Sequence, residues 1–109
     1  MDFNDYQKLA KRTARDGDLQ AFNYCLGLAG ETGEILEHIK KAVFHRQPLL
    51  TKTIKEELGD LLWYMANLAT YYDLSLNDVA ELNIFKLRVR YPNGFNVEDS
   101  KARVDKNEE

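Results

Sequence analysis

Apolar positions recur at helical spacing along most of the chain, and the alternation of a β-strand is not apparent anywhere. Phe3, Tyr6, Leu9, Ala10 and Thr13 keep this spacing in a first helix predicted from about Asn4 to Arg15. Asp16-Gly17-Asp18 reads as a stop and a restart. A second helix is predicted from about Leu19 to Phe44, ending at the break His45-Arg46-Gln47-Pro48. A third covers about Thr51 to Tyr72, and a capping box between Thr53 and Glu56 would move its start one turn later. The fourth opens at Ser75-Leu76-Asn77-Asp78, a capping box with Asp in place of the usual Glu, and Leu74 and Val79 are placed for a hydrophobic staple. It runs to about Arg90, where Tyr91-Pro92-Asn93-Gly94 ends it. The expected fold is all-α: a four-helix bundle-like protomer over residues 1–95, followed by a charged, mobile tail over 96–109.

The two long helices share a design. In the second, Gly27, Glu31, Glu34 and His38 fall in one stripe, with Leu28, Ile35, Ile39 and Ala42 beside it and Phe22, Leu26, Leu36 and Val43 on the far side. In the third, Thr53, Glu57, Asp60, Tyr64 and Tyr71 share a stripe flanked by Ile54, Leu61, Met65 and Leu68. Both apolar arcs are wider than a surface helix requires, so each helix is expected to be covered on more than one side, by other helices or by a partner subunit. The acidic stripes border these arcs and belong at the edge of a core.

Composition narrows the function. The 109 residues suffice for one small domain, and with 15 basic and 18 acidic residues the net charge of −3 excludes the basic surface of a nonspecific nucleic-acid binder. No apolar run approaches the length of a membrane span, and Met1-Asp2-Phe3-Asn4-Asp5 lacks the features of a signal peptide. With one cysteine, Cys25, the expected setting is reducing and cytoplasmic, away from membranes.

Against this background the acidic pairs Glu31-Thr-Gly-Glu34 and Glu57-Leu-Gly-Asp60 are anomalous. Each i, i+3 pair shares one helical face, and none of the four acids has a Lys or Arg three or four positions away. Each pair costs roughly 0.2–0.5 kcal/mol of helix stability, and bringing two such faces together is worse unless a cation lies between them. All-oxygen donors suit a hard cation, Mg²⁺ or Mn²⁺, which recruits phosphates as further ligands. A solvated acidic face is the plainer reading of a single pair; two pairs on two long helices favour the metal. A carboxylate-bridged di-iron site fits poorly, because His38 follows Glu34 by four positions and no Glu-x-x-His occurs. On the fourth helix Asn83, Lys86 and Arg90 share a face that could grip a polyphosphate, although an exposed polar face of an amphipathic helix accounts for the same spacing.

The segments Leu26-Gly27-Leu28-Ala29-Gly30-Glu31-Thr32-Gly33-Glu34 and Glu56-Glu57-Leu58-Gly59-Asp60-Leu61-Leu62-Trp63-Tyr64, separated by the 22 residues Ile35 to Glu56 when the second is counted from Glu57, resemble the MazG-like nucleotide pyrophosphohydrolases. The downstream Asn83-Ile84-Phe85-Lys86-Leu87 and Arg90-Tyr91-Pro92 are similar to that family's Asn-x-x-Lys and Arg-Tyr-Pro segments, and the likeness extends over about Asn23 to Phe95. The resemblance implies an all-α homodimer or homotetramer that hydrolyses a nucleoside triphosphate to monophosphate and pyrophosphate with Mg²⁺ (or Mn²⁺), in the manner of nucleotide-pool house-cleaning. It implies that Glu31, Glu34, Glu57 and Asp60 bind the metal, that Lys86 and Arg90 hold phosphates, that Asn83 contacts phosphate or sugar, and that Tyr64 lies near the nucleotide. His38 belongs at the edge of that site, against the substrate. Glu34 and Glu56 are both candidates for the carboxylate that takes the proton of the attacking water. A related enzyme acting on dUTP or phosphoribosyl-ATP, and a non-catalytic nucleotide-binding helical oligomer, are the alternatives. Glu34-Ile-Leu-Glu37 is a second Glu-x-x-Glu, but Glu37 points farther round the helix; Trp63, about 120° from Glu57, fits packing at least as well as base stacking.

Overall fold

The computed structural model describes residues 1–107. It is all-helical, as the periodicity requires, with α1 (Phe3–Lys11), α2 (Gln20–Phe44), α3 (Thr51–Tyr71), α4 (Leu76–Arg90), α5 (Val97–Ala102) and α6 (Val104–Asn107). The chain divides into two compact units, residues 1–76 and 77–109. Among the described residues no helix is long and apolar enough to cross a membrane.

In the first unit α2 and α3 pack along each other and α1 lies on α3. Gly27 meets Tyr64 and His38 meets Glu57, so residues ascending α2 pair with residues descending α3 and the two helices are antiparallel. A Cβ on Gly27 would fall inside contact distance of the Tyr64 ring carbons, so only glycine permits this approach. The core is small. Ala10, Ala66 and Leu76 are buried together, with Tyr6, Leu62 and Trp63 packed against them. Polar anchors hold α1 in place. The Gln7 amide donates to Thr70 Oγ1 (2.9 Å) and the Leu74 carbonyl (2.8 Å), and its oxygen accepts from the Leu76 N–H (2.8 Å). The buried Asn67 donates to the Trp63 carbonyl at 3.1 Å and to Ala10 at 3.4 Å.

Helix ends follow local bonds and, for α1, a tertiary one. Asp2 caps α1, and its reciprocal bonds with Asp5 form a capping box that the sequence reading passed over. α1 also stops at Lys11, four residues short of the predicted Arg15, because the amides of Arg12, Thr13 and Ala14 bond three residues back, at 3.1–3.3 Å, and the Trp63 indole donates to Thr13 Oγ1 at 2.8 Å. α3 starts at Thr51 with Leu50 as its N-cap and no side-chain cap, so the Thr53–Glu56 box does not set its start. It closes in a Schellman motif: Leu74 N–H bonds Ala69 O (2.8 Å), Asp73 N–H bonds Thr70 O (3.1 Å), and Asp73 takes φ +56° where glycine is usual.

Much of the outer face of α2 is bare. Phe22, Leu26, Leu36 and Val43 are 71, 70, 61 and 64% exposed, and a Cβ on Gly30 or Gly33 would meet nothing within 4 Å. This is the face predicted to need covering.

The second unit holds most of α4, then α5 and α6. The charged segment after Phe95 thus carries two short helices within the described residues; residues 108 and 109 of the tail lie outside them. Asn96 caps α5 by accepting from Asp99 N–H at 2.8 Å. Asp105 on α6 accepts from Arg90 Nε at 2.8 Å and Nη2 at 2.7 Å.

Candidate metal centre

Helical spacing places Glu31 and Glu34 along one face of α2, and Glu57 and Asp60 along one face of α3. The antiparallel pairing, drawn close by Gly27 against Tyr64, brings those faces together. Glu31, Glu57 and Asp60 each offer one carboxylate oxygen, and the three oxygens lie within 4.8 Å of one another. Glu31 and Glu57 are half-buried, whereas Asp60 and Glu34 are exposed. Glu34 stands outside that triad but close enough to bond Glu57 and to act on Glu31 through its charge.

The electrostatics are those of a cluster short of positive charge. Glu31 is pushed up to about 7, first by its hydrogen bond with Glu57, then by burial and by the charges of Glu34 and Asp60. Glu57 is lowered, first by the same bond from Glu31, with further bonds from Glu34 and His38. The two carboxylates thus act as a pair holding one proton between them. His38 Nε2 lies 3.5 Å from Glu57 Oε1. Even so, Glu31 Oε2 and Glu57 Oε2 are buried with no hydrogen-bond partner. Buried acceptors of this kind are costly, and a hard cation among these oxygens would satisfy both while releasing the shared proton. The donor set therefore fits Mg²⁺ or Mn²⁺.

The remaining predicted residues divide. Tyr64, Trp63, Glu31 and Asp60 line a cleft of about 220 Å³. Trp63 is held edge-on between Tyr24 (6.0 Å) and Tyr64 (5.1 Å), with its indole N–H on Thr13, so it serves as a packing bridge that also forms a wall of the cleft. Glu56 is not in the carboxylate triad; it is exposed, with its carboxylate 3.8 Å from Lys52. Asn83, Lys86 and Arg90 share a face of α4 in the second unit, with Asn83 exposed and Lys86 half-buried. Both edges of the Asp105 carboxylate engage Arg90, which holds Asp105 down at about 2 and raises Arg90, and Arg103 Nε stands 3.8 Å from Asp105. Sequence reasoning missed Tyr6, whose phenol is raised first by burial and then by the negative charge of Asp60. No spacing rule could have found it, since Tyr6 reads as one more apolar position of α1.

Comparison with known proteins bears on the chain's family. The "Gene 37 protein" of Mycobacterium phage L5 is 37% identical over 73 residues, covering 63% of this chain and 64% of the relative, so the chain spans somewhat under two thirds of the length of the curated relative it matches. No solved structure matches it. Residues 21–95, which contain both acidic pairs and the α4 cations, match the MazG nucleotide pyrophosphohydrolase domain. The chain belongs to the MazG nucleotide pyrophosphohydrolase family.

Proposed function

We propose that the protein is a Mg²⁺-dependent nucleoside triphosphate pyrophosphohydrolase that converts (d)NTP and water to (d)NMP and pyrophosphate, as a house-cleaning enzyme of the cytoplasmic nucleotide pool. The observation that carries this reading is the carboxylate cluster with two buried, unpartnered oxygens, inside a chain of this family.

Glu31, Glu57 and Asp60, with Glu34 beside them, would hold the metal. When bound, Mg²⁺ offsets charge on the phosphate oxygens and lowers the pKa of a coordinated water. Glu34, exposed and adjacent to the cluster, is the better-placed carboxylate to take the water's proton; Glu56 is turned away toward Lys52. His38 steadies Glu57. Tyr64, forming a wall of the cleft, would lie against the nucleotide. Lys86 and Arg90 would offset phosphate charge and Asn83 would add an amide contact, with Arg90 first having to share or release Asp105. The bare apolar face of α2, with open space over Gly30 and Gly33, supports assembly into a homodimer or homotetramer through that face.

The test is to incubate purified protein with Mg²⁺ and a panel of canonical and modified nucleoside triphosphates, dUTP and phosphoribosyl-ATP included, and to separate the products. Monophosphate plus pyrophosphate supports the reading. Absence of turnover with every nucleotide, while metal binding is demonstrated, overturns it.

A further inference from the structure

Near the carboxylate cluster the first unit has a further cavity, of about 200 Å³, whose wall combines polar His38, Lys41, Gln47 and Thr53 with apolar Pro48, Leu49 and Leu50. His38 belongs to both places, since its Nε2 is 3.5 Å from Glu57 Oε1. Glu31, Glu34, His38 and Lys41 follow one another along one face of α2, so a ligand lying on the cluster and extending toward the C-terminal end of that helix reaches this cavity next. The axial separation between Glu34 and Lys41 is about 10 Å.

We propose that this cavity receives the terminal phosphates of the substrate, the part that leaves as pyrophosphate, with the Lys41 ammonium as their counter-charge. The inference rests on the triphosphatase reading above and adds a subsite to it. Three observations carry it. Lys41 is half-buried and, among the described residues, has no carboxylate within ion-pair distance, while its neighbours Lys40 and Lys52 are paired with Glu37 and Glu56. The other polar side chains on the wall, the Gln47 amide and the Thr53 hydroxyl, can donate to phosphate oxygens. His38 lines the cavity and also lies 3.5 Å from Glu57 of the cluster, so an anion here and a cation there are within reach of one ligand. A lysine in the last turn of α2 also complements the helix dipole, and that role alone would affect stability without affecting pyrophosphate.

The experiment measures product inhibition in the wild type, Lys41→Met and Lys41→Arg, using inorganic pyrophosphate and the nucleoside monophosphate of the best substrate. Lys41→Met keeps the apolar stem and removes the charge. It is expected to raise the Ki of pyrophosphate and the KM of the triphosphate about tenfold. The Ki of the monophosphate should be unchanged, and Lys41→Arg should recover most of the loss. Lys41→Gln repeats the test should the Met variant fold poorly. An unchanged pyrophosphate Ki, or equal weakening of both products, overturns the proposal. If the wild type turns over no nucleotide, the triphosphatase reading fails; pyrophosphate binding followed by calorimetry with Mg²⁺, in wild type and Lys41→Met, then decides the subsite separately.

Discussion

Two charged clusters in this molecule resolve their electrostatics in opposite ways. In the second unit, the Asp105 side chain is 1% exposed and both its oxygens are engaged by Arg90 at 2.7–2.8 Å. In the first unit, three carboxylates converge within 4.8 Å, Glu31 is pushed up to about 7 against Glu57, and two buried oxygens have no partner. The first arrangement is complete as it stands; its charges cancel and its donors match its acceptors. The second is stable only in the sense that the surrounding helices hold it, and a cation would relieve it. Unsatisfied charge held between packed helices is open to a ligand as it stands, whereas Arg90 has to share or release Asp105 before it can meet one.

The sharpest way to break this comparison is to neutralise one member of each cluster. Glu57→Gln is expected to lower kcat/KM by about a thousandfold or more, since metal-assisted charge stabilisation is worth several kcal/mol in the transition state. The matching stability test in metal-free protein is Glu31→Gln, which at pH 8 should melt no lower than the parent, because the fold disfavours that carboxylate's charge and the amide can still donate to Glu57. Asp105→Asn should instead leave a guanidinium without its counter-charge, and amide hydrogen exchange should accelerate over residues 97–107. If Glu31→Gln proves the less stable protein without metal at pH 8, the carboxylates are structural and the contrast fails.

A smaller effect separates the glycines. Gly27→Ala pushes a methyl into the Tyr64 ring and should cost about 1–3 kcal/mol in denaturant unfolding, partly offset by alanine's helix propensity. Because Gly27 sets how closely the two acidic faces approach, the same variant should also weaken Mg²⁺ binding measured by calorimetry. Gly33→Ala meets nothing in the protomer and should gain up to about 1 kcal/mol there. A loss of oligomer in Gly33→Leu would show that the open space is filled by a second copy.

These particulars also show what a sequence can carry. The limits of α2, α3 and α4 were legible to within about a residue, because Pro48, the Ser75–Asp78 start and the Tyr91-Pro92-Asn93-Gly94 stop are local signals. The acidic pairs were legible because i, i+3 spacing and missing basic neighbours are local as well. The early end of α1 was not, since it depends on Trp63, fifty positions away, bonding Thr13. Nor was the Arg90–Asp105 pair, which joins α4 to a segment whose composition reads only as charged. The charge of Asp60 acting on Tyr6, and Lys41 lining one cavity with His38 and Thr53, are likewise consequences of tertiary packing. Helical periodicity orders residues around one axis and is silent on which faces of two helices meet at which height.

The finest test of the comparison is pH. Glu31 is raised from 4.5 to about 7 in the folded protein, so the fold binds its proton more tightly than the unfolded chain does. The stability this confers is fully present below about pH 4.5 and is lost as pH rises through about 7. Asp105, held down at about 2, works the other way: its contribution is present above the ordinary carboxylate range and disappears only as pH falls toward 2. Melting of the metal-free protein followed from pH 4.5 to 8 should therefore fall as pH rises, and Glu31→Gln should flatten the slope, since the amide carries no titrating proton. Mg²⁺ should flatten it too, by competing with the proton for the same oxygens, and its stabilising effect should grow with pH. A slope that survives in Glu31→Gln would place the proton elsewhere and remove the electrostatic basis for the vacant charge that the cluster presents to a cation.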